Sequence, residues 1–161
     1  MQCYNNSALT FLAFPACLAF LANMKGGTNM KEKKKKGNFE DLEVWKEGCD
    51  LAVEIYRVTR KGDLSRDYGL RDQMTRASVS IPSNIAEGKE RETVPELIRY
   101  LYIAKGSAGE LRTQIHIAYR IDYLEKARFQ ELIHRTELLS KKLASFIKSL
   151  RKRDWAKQNS R

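Results

Sequence analysis

Two polar strips in this chain have the spacing to meet as one hydrogen-bonded group. Gln73, Arg76, Ser80, Ser83 and Glu87 recur every three or four residues, which places them along one strip of a helix. Ser107, Glu110 and Gln114 do the same further along, and Asn84 falls beside the first strip on a helical apolar face. If the strips face each other they form a network of Arg76, Ser80, Asn84, Glu87, Ser107, Glu110 and Gln114, centred on Arg76, Asn84 and Glu110, because a buried charge must be paired. Two roles stay open for it. Polar residues in bundles set helix register; the same residues also suit a groove that binds a protein partner.

The residues that would carry catalysis do not assemble. His116 and His134 stand one to a helix, and a lone histidine per helix makes no chelate of the kind a bundle metal site needs. Glu87 and Glu110 as an acid/base pair lack a nucleophile, a cofactor motif or a phosphate-binding loop nearby. Cys49 lies on an apolar stripe, whereas a reactive thiol needs an electropositive, accessible setting. No catalytic residue, cofactor or metal ligand is expected, and the chain reads as a non-enzyme.

The net charge of +10 suggests a nucleic-acid-binding domain until its location is considered. Residues 38–147 hold 18 Lys+Arg and 18 Asp+Glu, so the body is neutral and the excess sits at the two ends. Lys33, Lys34, Lys35 and Lys36 at one end, and Lys148, Arg151, Lys152 and Arg153 at the other, can grip phosphates, since neutralising a polyanion releases its counterions. The alternative is a pair of solvated ends that aid solubility.

Among three cysteines, Cys3 and Cys17 lie near the amino terminus and only Cys49 in the body, so there is no disulfide framework and a reducing cytoplasm fits. Residues 8–22 look superficially like the apolar core of a leader, but no Lys or Arg precedes them and Pro15 interrupts them, and they are short for a membrane span. Residues 1–37 are therefore expected to be a disordered extension or an upstream start-site artefact ending in the lysine run, with Met24 or Met30 as the initiator. A cleaved leader is the other reading. Residues 38–153 form the domain, and 154–161 a basic tail.

Four helices position these groups. The first is expected over 42–60. Leu42, Trp45, Cys49, Ala52, Tyr56 and Thr59 make one stripe, and Val44, Gly48, Leu51, Ile55 and Val58 a second; a helix so patterned is covered on two sides. The second is expected over 68–87, ended by Gly88, with Pro82 inside it bending the helix or admitting a water. Thr93-Val94-Pro95-Glu96 is a capping box that opens the third. Its seam of Leu97, Leu101, Ala104, Ala108, Leu111, Ile115 and Ala118 is joined by another of Ile103, Ser107, Glu110, Gln114, Ile117 and Ile121. The fourth is expected over 125–153. Short links between long amphipathic helices predict an all-α, up-down-up-down antiparallel four-helix bundle, and the second seams predict subunit contacts.

The stretch from Ser80 to Gly88 (Ser-Ile-Pro-Ser-Asn-Ile-Ala-Glu-Gly), with Tyr68-Gly69-Leu70-Arg71-Asp72-Gln73 before it and Leu101-Tyr102-Ile103-Ala104-Lys105-Gly106-Ser107 after it, closely resembles the four-helix-bundle proteins encoded in intervening sequences of bacterial large-subunit ribosomal RNA genes. The resemblance spans about Asn38 to Arg153. It implies a homopentameric ring of such bundles, similar in shape to the accessory variability protein of diversity-generating retroelements, though without clear sequence likeness to that protein. Taken together, the chain is expected to be a cytoplasmic, oligomeric, non-enzymatic protein that binds RNA or another nucleic acid and no membrane. The alternative is a protein-interaction scaffold with no nucleic-acid role.

Overall fold

The computed structural model describes residues 37–160, which form four α-helices and, among the described residues, no strand. The lysine run Lys33–Lys36, Cys3, Cys17 and the segment 8–22 lie outside the described residues. A 3-10 turn at Phe39–Asp41 opens the domain, capped by Asn38 Oδ1, which accepts the Phe39 N–H at 2.9 Å, and by Asp41, which accepts the Asn38 N–H at 2.9 Å. This places Phe39 edge-on against Trp45, 5.3 Å between ring centroids, at the start of α1 (Glu43–Val58).

Local signals set the remaining boundaries. Gly62, at φ +55°, turns the chain after α1, a conformation that costs other residues dearly. Asp67 accepts the Leu70 N–H at 3.0 Å and starts α2 (Tyr68–Glu90). Thr93 accepts the Glu96 N–H at 3.4 Å and starts α3 (Val94–Arg120), with Pro95 in the first turn where its missing N–H is not needed. After a short turn α4 runs over Lys126–Gln158. Its last turns include most of the segment read from the sequence as a basic tail, so 154–158 continue the helix.

One expectation for α2 is corrected. The helix continues past Gly88 to Glu90, and Gly88 is buried inside it instead of ending it. A Cβ at Gly88 would lie 2.6 Å from Tyr100 Cβ, so the glycine marks a close approach of α2 to α3. Pro82 leaves the helix unbroken and is buried. It packs where α1 carries Gly48, whose absent side chain would stand 3.5 Å from the Pro82 ring.

Each helix packs on the next, and α4 closes onto α1. Ser80 meets Ser107 while Glu87 meets Tyr100; as one index rises the other falls, so α2 and α3 are antiparallel. The same relation holds for α1 and α4, where Glu54 pairs with Arg128 and Glu47 with Lys142. Leu51, Ile55, Met74, Ile81, Ile85, Leu101, Leu111, Ile115, Leu132, Leu139 and Leu143 fill the interior, each at most 1% exposed, and each such side chain contributes roughly 1.5–3 kcal/mol by leaving water.

The two seams of α3 differ at their large apolar residues, although Ser107 of the second is buried too. Leu97 through Ala118 of the first are all buried, whereas Ile103, Ile117 and Ile121 of the second stay 43–45% exposed. In α1 the stripe from Val44 to Val58 is buried throughout, while the other is mixed, with Ala52 and Thr59 buried and Tyr56 41% exposed. Among the described residues no helix is long and apolar enough to cross a membrane.

Candidate functional site

The polar strips of α2 and α3 do meet, but through fewer residues than their spacing suggests. Asn84 Nδ2 donates to the Ser80 carbonyl at 2.7 Å and to Ser80 Oγ at 3.0 Å. Ser80 Oγ lies 2.9 Å from Ser107 Oγ, and Ser107 Oγ donates to the Ile103 carbonyl at 3.2 Å. A hydroxyl has one proton to give. Since Ser107 spends its proton on Ile103, Ser80 donates to Ser107 and accepts from Asn84, a directed chain linking the two helices.

The charged members lie elsewhere, which corrects the expected Arg76–Asn84–Glu110 centre. Arg76 is 75% exposed in its side chain and faces Asp72 of its own helix at 3.8 Å; Glu110 is exposed and forms no ion pair among the described residues. Both border a shallow groove of about 220 Å³ with Gln73, Ala77 and Ser80. Their side chains reach water from opposite rims, so neither needs the other to be solvated. Glu110→Ala should accordingly change stability by no more than about 0.5 kcal/mol in denaturant unfolding; a loss near 3 kcal/mol would indicate a desolvated pair. Gln114 Oε1 is buried with no hydrogen-bond partner among the described residues.

Glu87 belongs to a different cluster, at the α2–α3 turn. Tyr100 Oη donates to Glu87 Oε1 at 2.7 Å, Arg91 Nη2 donates to the same oxygen at 2.7 Å, and the Arg91 guanidinium sits 5.3 Å from the Tyr100 ring centroid. The Tyr100 hydrogen bond, then Arg91, holds the Glu87 carboxyl below its ordinary range. Arg91 could be paired with Glu87 from its i,i+4 spacing. Tyr100 carried no such signal, since its contact depends on how far α3 slides along α2.

Burial, and then the neighbouring Asp50, push the Cys49 thiol up, against thiolate formation. Glu131 stands three residues before His134, the spacing of a bundle metal motif, but both are exposed, and Glu131 is engaged by Arg128 and Arg135. Among the described residues no cluster of His, Cys, Asp or Glu could hold a metal ion. A larger cavity of about 540 Å³ lies where α1 ends beside the start of α4, yet two of its cations, Arg57 and Arg128, are already committed to Glu54.

At the end of α4, Lys148, Arg151, Lys152 and Arg153 are all exposed and form no ion pair among the described residues. The Arg151 guanidinium lies over the Tyr102 ring of α3, 5.3 Å from its centroid. Trp155, one turn beyond Arg151, is 69% exposed. Charge marks this cluster in the sequence, but not its aromatic members, because a lone tryptophan near a terminus has no periodicity to betray it.

Residues 40–145 match the family model of the 23S rRNA-intervening sequence protein. Among solved structures, the chain is similar to a protein of unknown function from the S23 ribosomal protein family of Bacteroides thetaiotaomicron, with a TM-score of 0.60 at 23% identity, covering 65% of this chain and 98% of that one. At that identity the likeness shows the fold alone. No curated protein matches the chain.

Proposed function

The chain belongs to the family of 23S rRNA-intervening sequence proteins, and from that premise we propose that it is a non-enzymatic protein that binds RNA through phosphate contacts at the end of α4. The observation that carries this reading is the group of Lys148, Arg151, Lys152 and Arg153, exposed and, among the described residues, without acidic partners, on a body whose other charges balance. Several cations of the body are tied to carboxylates, as in Glu54 with Arg57 and Arg128, or Glu47 with Lys142, and those that are not are spread among the acids that balance them, whereas four stand together here. Cations without such partners release the counterions of a polyanion at little cost.

The exposed Ile103, Ile117 and Ile121 of α3 support self-association, with a pentamer as the assembly the family resemblance implies. A ring would repeat the weak phosphate grip and multiply its avidity. Sedimentation equilibrium should return a mass several times that of one chain at micromolar concentration; a monomer would remove the ring and the avidity it supplies.

The RNA reading is tested by fluorescence anisotropy with labelled single- and double-stranded RNA across a salt series. Binding should weaken steeply as salt rises, with a log–log slope that counts the phosphates contacted. If no RNA binds even at low salt, a protein scaffold becomes the better reading. The groove beside Arg76, Ser80 and Glu110 would then be its first candidate surface.

A further inference from the structure

We propose that the carboxy-terminal face of α4 holds single-stranded nucleic acid by stacking an unpaired base on Trp155, while Lys148, Arg151 and Lys152 take the flanking phosphates. This rests on the nucleic-acid reading above and names the form of nucleic acid that the same site takes. Lys148, Arg151, Lys152 and Trp155 follow one another by three, one and three residues, so at 100° per residue they share one face of the helix. Residues three and four apart on a helix are neighbours at about 5–6 Å, which puts two cations within one turn of the indole.

The aromatic surface is open. Trp155 is 69% exposed, although a tryptophan gains much by burial. One turn back along α4, Arg151 lies over the ring of Tyr102, itself 44% exposed, so a further aromatic of the kind on which bases stack stands at the same end of the bundle. Only an unpaired base offers its face to such a surface. A duplex presents phosphates, and its bases are already stacked on one another, so the lysines and arginine alone would hold it.

Other occupants fit less well. An interfacial membrane helix needs an apolar face several residues wide, and beyond Leu150 no residue of α4 is buried and Trp155 is its one large apolar side chain. A protein interface is depleted of lysine, whereas this indole has Lys152 within one turn and Lys148 two turns back on its own face.

The test compares an oligouridine of about twelve nucleotides, its deoxy counterpart and an RNA duplex of equal length, on wild type, Trp155→Ala and Trp155→Phe. Trp155→Ala should weaken single-strand binding about tenfold, in the range that loss of one base–aromatic stack allows, and leave duplex binding unchanged. Trp155→Phe should restore most of the loss. The single strand should quench tryptophan emission in wild type and not in Trp155→Ala, where Trp45 remains. The thermal midpoint should not move, since the side chain is exposed.

If wild type binds both forms and Trp155→Ala binds them as tightly, the stacking proposal fails while the phosphate reading stands. Binding of neither form at low salt would mean the nucleic-acid reading itself has failed. Emission already shielded from iodide in the free protein, or shifted by anionic phosphatidylserine vesicles and not by RNA, would assign Trp155 to a protein or membrane contact and overturn the proposal.

Discussion

Replacing Lys148, Arg151, Lys152 and Arg153 together by glutamine is expected to weaken RNA binding by roughly 100-fold at low salt without unfolding the protein. Non-specific affinities of about 10⁻⁴–10⁻⁶ M arise from on the order of six to ten phosphate contacts, so each contact is worth a few-fold. On a single strand each also adds about 0.7 to the slope of log affinity against log salt. Four lost contacts should therefore flatten that slope by close to 3. All four side chains are exposed and without acidic partners among the described residues. The folded state loses only the Arg151–Tyr102 contact, worth about 0.5–1 kcal/mol at an exposed site. Unchanged affinity in the quadruple variant would move the interface to other cations, with Lys89, Arg99 and Lys105 around the α2–α3 turn the next to substitute.

The second large effect concerns Gly88, where valine should destabilise the protein by about 3 kcal/mol, read as a lower denaturant midpoint. A Cβ at this position would lie 2.6 Å from Tyr100 Cβ and 3.4 Å from the Leu97 carbonyl oxygen. Neither contact can be relieved by a rotamer change, because both partners are fixed to the α3 backbone. The helices must move apart, which loosens the packing around Ile85 and Leu97 and strains the Glu87–Tyr100–Arg91 cluster beside it. Overpacking of this kind costs about 1–3 kcal/mol, occasionally more. Alanine is the informative comparison: its helix propensity exceeds that of glycine by about 1 kcal/mol, which offsets part of the clash. If Gly88→Ala proves stabilising, the approach of α2 to α3 is looser than 2.6 Å implies.

Gly88 also shows where a sequence reading stops. A glycine after an apolar helical run is a common helix terminator, and nothing local distinguishes it from a glycine that admits a neighbouring helix. The Arg76–Glu110 pairing missed for a related reason. Both residues lie on strips that do face one another, as the Ser80–Ser107 contact proves. A helix strip is broad, however, and its edges open to water. The short serines and asparagine sit between the helices, while the long charged side chains extend past the seam and find water or a neighbour such as Asp72.

What the sequence determined by itself is local. The start of α3 at Thr93, the presence of four helices, the buried seam from Leu97 to Ala118 and the displacement of positive charge toward the ends all follow from contacts within about one helical turn, or from composition. Tertiary structure decided everything that depends on how one helix is rotated and slid against another. It made Gly88 a point of contact, Pro82 a partner for Gly48, and Tyr100 a donor to Glu87; it also kept Ile103, Ile117 and Ile121 outside the core and left Trp155 in the open beside Arg151. Since each residue turns a helix by about 100°, a small change in rotation or axial register exchanges one set of neighbours for another. Periodicity names the faces of a helix, and only the packed bundle fixes which faces meet.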